Sequence, residues 1–164
     1  DLIISSGAVR MEGTSDGYVL NSYPATANYE VTMALIEAAE ILGYTYHVGI
    51  GYTASSFFCG QGRPGYKGYS QSFMKSIIPD MQAAGVLNIE MEAATVLTIS
   101  SLYKLRAGAI FTVVANRVDN SFKYDKSSTD QNIEVANLAM QILHKWDKLK
   151  EESGKKFFYP SLLK

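Results

Sequence analysis

Short apolar runs alternate along the chain with longer amphipathic stretches. Leu2 to Ser5 is an apolar run of strand length, and Ala8 to Tyr23, rich in Gly, Ser and Asp, reads as an irregular connection. After Pro24, the residues Tyr29, Met33, Ile36, Ala39 and Leu42 recur near helical spacing, and Gly43 supplies a stop. Tyr46, Val48, Ile50 and Tyr52 then alternate at period two, which predicts a strand over Tyr44 to Ala54. From Ser55 to Ser70 the periodicity disappears, and a loop of that length in a compact domain marks either function or disorder. Phe73 to Ala84 returns to helical spacing, with Pro79 expected to break or kink the helix and Gly85 to end it. Val86 to Glu90 is a short extended piece, and Met91 to Leu105 is expected to be a helix whose small apolar face carries Ala93, Ala94, Leu97 and Leu102. Ala109 to Ala115 predicts a strand buried on both faces, followed by a polar loop from Arg117 to Asp130. Asn132 to Lys150 forms a long amphipathic pattern with Ile133, Val135, Leu138, Ile142 and Trp146 near its buried stripe. The tail is charged from Glu151 and aromatic at Phe157-Phe158-Tyr159-Pro160.

Strands that alternate with helices imply an α/β fold with a largely parallel or mixed sheet. A length of 164 residues sets the expectation of a single domain over 1–164. Hydrophobic residues at 47% and charged ones at 19% suit a globular core. Lys+Arg 15 against Asp+Glu 16 leaves a net charge of -1, which argues against nucleic acid or an anionic membrane as the main partner. Cys59 stands alone, so no internal disulfide forms, and a reducing, cytoplasmic setting is expected. No apolar run reaches membrane-spanning length and no signal peptide is visible. The first residue is Asp1, and the strand that follows reads as already under way, so the chain is expected to begin inside a domain.

Three segments could carry chemistry. In Asn88-Ile89-Glu90-Met91-Glu92, two carboxylates at spacing two sit where a strand runs into a helix, and an extended backbone would point both to one face. Carboxylates accept several hydrogen bonds and suit the vicinal hydroxyls of a sugar. The same residues equally make a strand-to-helix turn with Glu at the positive end of a helix dipole. In Phe57-Phe58-Cys59-Gly60-Gln61-Gly62-Arg63, Gln and Arg offer donors and an acceptor for a planar base edge, and Phe57 could cover a flat ring. A surface loop with an exposed Arg reads as well from the same letters. Ala115-Asn116-Arg117 follows a strand, where ligands of α/β proteins gather, or it simply opens a solvated loop.

Other arrangements are weaker. His47, His144 and Cys59 give no metal-ligand spacing, so no metal is expected. Gly60, Gly62 and Gly65 match Gly-x-Gly-x-x-Gly, but not in a strand-to-helix turn, so no dinucleotide site is read there. The Lys-rich stretch from Lys145 to Lys156 carries acidic residues too and reads as a solvated helix face.

In order and spacing, Gly60-Gln61-Gly62-Arg63, Asn88-Ile89-Glu90-Met91-Glu92 and Ala115-Asn116-Arg117 resemble the nucleoside phosphorylase family, most closely its uridine phosphorylase branch. The likeness extends from Ser6-Gly7-Ala8-Val9-Arg10 to the last long helix. It implies a three-layer α/β fold, a mixed sheet flanked by helices, incomplete at its N-terminus, of which 1–164 is the C-terminal part. By resemblance, Gln61 and Arg63 bind the uracil edge, Phe57 packs on the nucleoside, and Val114 and Ala115 line the base pocket. Met91 and Glu92 hold the ribose with support from Glu90, and Arg117 helps Arg63 to polarise the base. The catalytic residues implied are Arg63, Glu92 and Arg117.

The implied reaction is the reversible conversion of uridine and phosphate to uracil and ribose 1-phosphate, with no cofactor, in a homo-oligomer (hexamer or dimer). Relatives that cleave purines carry an Asp where this chain has Asn116-Arg117 and lack the Gln-x-Arg pair. The family's phosphate residues, a Gly-Asp-Pro-x-Arg loop and further arginines, have no match in this sequence. A purine nucleoside phosphorylase or nucleosidase of the same fold, or a truncated nucleoside-binding protein without catalysis, stays open as the alternative.

Overall fold

The backbone of β1 (Leu2–Met11) runs beside β3 (Tyr46–Ala54) in parallel for its whole length, from Leu2 opposite Tyr46 to Met11 opposite Ala54. The computed structural model describes residues 1–119, 121–122 and 126–163, with the helical backbone alone for 126–129. Around that pair, among the described residues, lies a five-stranded mixed sheet. β2 (Ala25–Thr26) and β5 (Ala109–Thr112) pair antiparallel to β1, at Gly7–Ala8 and Leu2–Ser5 respectively. β4 (Asn88–Glu90) pairs in parallel with the end of β3. The helices are α1 (Tyr29–Leu42), α2 (Ser72–Ala83), α3 (Ala93–Leu102) and α4 (Lys126–Ser153).

Alternation along β5 assigns the layers. Ile110 packs with α1 and α4, while Ala109 and Phe111 pack with α3. Successive side chains of a strand face opposite sides, so helices cover both faces. The result is the expected three-layer α/β arrangement. Leu2 and Ile4 of β1 meet Ala34, Leu35, Ala38 and Ala39 of α1 and Val135, Ala139, Ile142 and Trp146 of α4 in the larger core. Ala93, Ala94 and Leu97 of α3 close on Ala25 in the smaller one.

Local signals account for most element ends. Asn28 caps α1 by accepting from the N–H groups of Glu30 and Val31, and Gly43 ends it in the left-handed conformation. Several expectations need correction. β1 continues through Ala8–Met11, where an irregular connection was expected, because β3 supplies ladder partners up to Met11. α2 runs as one helix from Ser72 to Ala83 with Pro79 inside it, so the proline does not break it. The strand over Ala109–Ala115 stops at Thr112 and is only half-buried, with Val113 to Ala115 exposed, since β5 pairs only with β1. Ile133 is 55% exposed and leaves the stripe. The buried positions Val135, Ala139, Ile142 and Trp146 are spaced by four, three and four, and Ile133 lies two residues, about 200°, from Val135.

The helix α4 begins at Lys126, inside the polar loop expected over Arg117 to Asp130; Asn120 and residues 123–125 of that loop lie outside the described residues. Nor is the Lys145–Lys156 stretch wholly a solvated face. Lys150 turns inward to Glu30 (2.8 Å) and Asp147 (3.0 Å).

Glu30 is a carboxylate buried in α1, and its partners tie down the tail. It accepts from Arg106 (2.6 Å), Lys150 (2.8 Å) and the Phe158 N–H (3.0 Å). Phe158 stacks on Trp146 with centroids 3.9 Å apart. Burial alone would raise the Glu30 pKa, but the hydrogen bonds from Lys150, Phe158 and Arg106 outweigh it and lower the pKa below 4.5. A depressed carboxylate contributes stability above its unfolded pKa and loses it as pH falls through the folded one. Glu30→Gln is therefore expected to cost about 3 kcal/mol of unfolding free energy near neutral pH. Urea melts at a series of pH values should show that gap narrowing as pH drops below 4.5, the ordinary Glu value. A gap independent of pH would contradict the assignment.

Candidate active site

Two groups of predicted residues are held by the far end of β3, which is buried over Gly51–Ala54. The first is the loop that leaves β3 at Ser55. Phe58 O accepts from the N–H groups of Gln61 (3.0 Å) and Arg63 (2.9 Å), closing a short 3₁₀ turn over Cys59–Gln61. Gly62 follows at φ +71, and a Cβ there would come 2.9 Å from the carbonyl oxygen of Met74 in α2. Only glycine fits both constraints, so α2 presses the loop into shape. From beneath, the Tyr52 hydroxyl donates to Gly60 O at 3.1 Å.

That turn brings Gln61 and Arg63 together. Gln61 is buried, and its Oε1 accepts from Arg63 Nη1 at 2.6 Å. The same nitrogen reaches Phe57 O at 2.9 Å, and the guanidinium lies 4.4 Å over the centre of the Phe57 ring. Phe57 itself is exposed and meets Phe58 edge-on at 5.4 Å. Arg117 arrives from after β5, and its Nη2 donates to Gln61 O at 3.0 Å. Its Nη1 is buried and has no partner among the described residues. Burial, and then the positive charge of Arg63 nearby, lower the Arg117 pKa. Two guanidinium groups thus lie close together, and neither has a carboxylate partner among the described residues. Such a pair suits an electron-rich planar ligand that brings acceptor oxygens.

Asn116 serves its own loop. It accepts from the Val118 N–H (2.9 Å) and donates to Asp119 (3.3 Å), while its backbone N–H meets Ser121 O. Val114 and Ala115 are exposed beside it, and Ala115 bridges Phe122.

The second group is the turn between β4 and α3. Here the common face expected for Glu90 and Glu92 is not observed. The backbone leaves extended geometry after Glu90, and Glu92, at φ -130 and ψ -32, is the N-cap of α3. Glu90 consequently points inward and is buried, while Glu92 is exposed and Met91 is half-buried between them. Glu90 Oε2 accepts from the N–H groups of Glu92 and Ala93, both at 2.7 Å, and its Oε1 accepts from the Thr53 hydroxyl. It caps α3 in the way that a helix dipole favours, with its oxygens already engaged. Among the described residues, Glu92 makes only a long contact of 3.3 Å with the Met91 N–H, which leaves its carboxylate open to a ligand.

Among the described residues, no hydrogen bond or ion pair joins Glu92 to Gln61, Arg63 or Arg117. The two groups are connected through β3 instead. Thr53, which the motifs did not single out, is the link to the second group, as Tyr52 beside it is the link to the first. Hollows of about 280 Å³ beside Arg10 and Glu12 and about 260 Å³ beside Asn28 and Ser101 contain none of the predicted site residues. Among the described residues, no three His, Cys, Asp or Glu side chains gather as a metal site, and no helix is long and apolar enough to cross a membrane.

Comparison with known proteins adds to this geometry. A family model described as the phosphorylase superfamily matches residues 1–145. The chain is 50% identical over 162 residues to a uridine phosphorylase of Thermococcus kodakarensis, covering 99% of this chain and 58% of that protein. It is 39% identical over 118 residues to the uridine phosphorylase of Escherichia coli, covering 71% of this chain and 47% of that protein. A guanosine phosphorylase of Halorubrum lacusprofundi is 36% identical over 123 residues, 75% of this chain and 46% of its own length. The chain spans about half the length of the curated relatives it matches.

The capping role of Glu90 has a measurable consequence. Glu90→Ala leaves two N–H groups at the start of α3 and the Thr53 hydroxyl without an acceptor, and is expected to lower unfolding free energy by about 2 kcal/mol. Glu92→Ala, at an exposed position that does no capping, should cost less than about 0.5 kcal/mol. Chemical denaturation of the two variants distinguishes the roles, and equal costs would contradict this division.

Proposed function

Because the chain belongs to the phosphorylase superfamily, matched over residues 1–145, we propose that it carries the nucleoside side of a uridine phosphorylase. The observation that carries the proposal is the cluster of Gln61, Arg63 and Arg117 beside Phe57, in which, among the described residues, one Arg117 guanidinium nitrogen has no partner and no carboxylate neutralises the pair. A uracil ring shows two carbonyl oxygens flanking one N–H. Gln61 offers an acceptor and donors, Arg63 offers donors, and Phe57 offers a flat apolar face. The Gln61–Arg63 hydrogen bond holds the amide and the guanidinium side by side.

In this mechanism, Glu92 accepts hydrogen bonds from the ribose hydroxyls, with Met91 against the sugar and Glu90 holding the turn behind them. As the bond between ribose and base breaks, negative charge grows on the uracil oxygens while the sugar becomes oxocarbenium-like. Arg63 and Arg117 stabilise the developing charge in a site already arranged for it, so little reorganisation is needed during the step. An Arg side chain stays protonated even when burial lowers its pKa, and the pair therefore acts by electrostatics and hydrogen bonding, with no proton transfer from either. Val114 and Ala115 border the base. Phosphate attacks the sugar carbon; the family's phosphate-binding loop has no match in this sequence.

Uridine phosphorolysis also agrees with the relatives named above, two of which are uridine phosphorylases. We propose further that residues 1–164 form the C-terminal part of one nucleoside phosphorylase-like domain, and that the protein works in the cytoplasm as a homo-oligomer. Reaction with purine nucleosides is the competing reading, favoured by the guanosine phosphorylase among the relatives.

Incubation of the complete gene product with uridine should release uracil only when phosphate is present. Release without phosphate would indicate hydrolysis, and faster turnover of guanosine or inosine would indicate the purine branch. Calorimetric titration provides a second test. Gln61→Ala and Arg63→Ala are each expected to weaken uridine binding at least about tenfold, the size of one hydrogen bond to a charged or buried group. Unchanged binding in both variants would remove the base site from this loop.

A further inference from the structure

We propose that Thr53 is the positioning residue of the ribose clamp, acting through Glu90 to release Glu92 for the sugar. The proposal rests on the assignment of Glu92 to the ribose made above.

Two carboxylates stand at the start of α3, whose first N–H groups have no partner within the helix and need acceptors from outside it. The residue in the N-cap position is Glu92, yet its side chain makes no capping hydrogen bond. Capping is done from behind. Thr53 is fully buried in β3, opposite Glu90 in the parallel ladder. A hydroxyl has a single proton and two lone pairs. Its proton goes to Glu90 Oε1, and its oxygen accepts the Ala94 N–H at 2.9 Å. Glu90 Oε2 takes the N–H groups of Glu92 and Ala93. Three successive N–H groups, from Glu92, Ala93 and Ala94, are therefore satisfied by Thr53 and Glu90 together.

Two effects follow for the clamp. Glu92 is excused from capping its own helix, so its carboxylate faces outward with only the long Met91 contact. Its backbone is also pinned, because its N–H is one of those held by Glu90. Without the Thr53 proton, Glu90 loses the donor that aims it, and the Ala94 N–H loses its acceptor. Glu92 is then the nearest free carboxylate to those exposed N–H groups and is drawn into capping, away from the sugar. The base side does not share this dependence. It hangs on the neighbouring residue, whose side chain faces the other way: the Tyr52 hydroxyl donates to Gly60 O.

The test compares uridine with free uracil as titrants of the complete protein, using Thr53→Val, Thr53→Ala and Thr53→Ser. Thr53→Val and Thr53→Ala are expected to weaken uridine about tenfold, with uracil affinity within about twofold of the wild type. Thr53→Ser keeps the hydroxyl and should restore uridine affinity. Should Thr53→Val fail to fold, the Ala and Ser variants, which differ by the hydroxyl alone, carry the comparison. Equal loss of uridine and uracil would reduce Thr53 to a packing role and overturn the proposal, as would unchanged uridine binding in the Ala variant. A wild-type protein that binds uracil without any gain from the ribose would sink the assignment of Glu92, and a wild type that binds neither would sink the uridine reading itself; the proposal falls with either.

Discussion

The parallel pairing of β1 with β3 is the constraint on which the remaining structure depends. β1 receives β2 and β5 on one side, while β3 receives β4 on the other, so every strand is referred to this pair. Pairing all the way to Met11 and Ala54 carries the end of β3 deep between its neighbours, where Gly51 to Ala54 are buried. A buried strand end must satisfy its polar side chains internally. Tyr52 and Thr53 do so by reaching in opposite directions, Tyr52 to the loop with Gln61 and Arg63, Thr53 to the turn with Glu90 and Glu92. The spacing between the loop of Gln61 and Arg63 and the turn of Glu90 and Glu92 is thereby set by one rigid element.

Two buried carboxylates show how different surroundings assign different work to the same side chain. Glu30 is compensated by two cations and an N–H group, and joins α1, α4 and the tail. Glu90 is compensated by a hydroxyl and two N–H groups at a helix start. The first arrangement uses full charges between elements far apart in sequence. The second uses dipoles alone, the N–H groups of the turn and the hydroxyl of Thr53. Arg63 and Arg117 are the inverse case, close cations without an acidic partner among the described residues, and the mutual repulsion of such a pair makes an electron-rich ligand favourable.

Particular elements show what could be read without coordinates. Asn28 and Gly43 mark the ends of α1 by their own backbone preferences, and the alternation of apolar and polar positions identified β3 and α4. The three motifs were visible because unusual residue types, Gln and Arg amid glycines or paired glutamates before a helix, stand out from a local background. Errors arose where a partner distant in sequence overrides local preference. β1 extends past its apolar run because β3 accompanies it, and the apolar residues after Thr112 are exposed because β5 has only β1 beside it. Lys150 sits in a charged stretch but turns inward because Glu30 lies across the helix pair.

By itself, then, the sequence determined most of the elements, their order and the side chains that stand out as candidates for chemistry, since these depend on periodicity, caps and side-chain type over a few residues. Only the tertiary structure decided which glutamate caps and which is left open, because the partner that makes Glu90 the cap, Thr53, is 37 residues away. It likewise decided that Arg117 meets Gln61 from 56 residues away. Contacts at such separations are fixed by strand register and helix packing, and neither is encoded in any short stretch of residues.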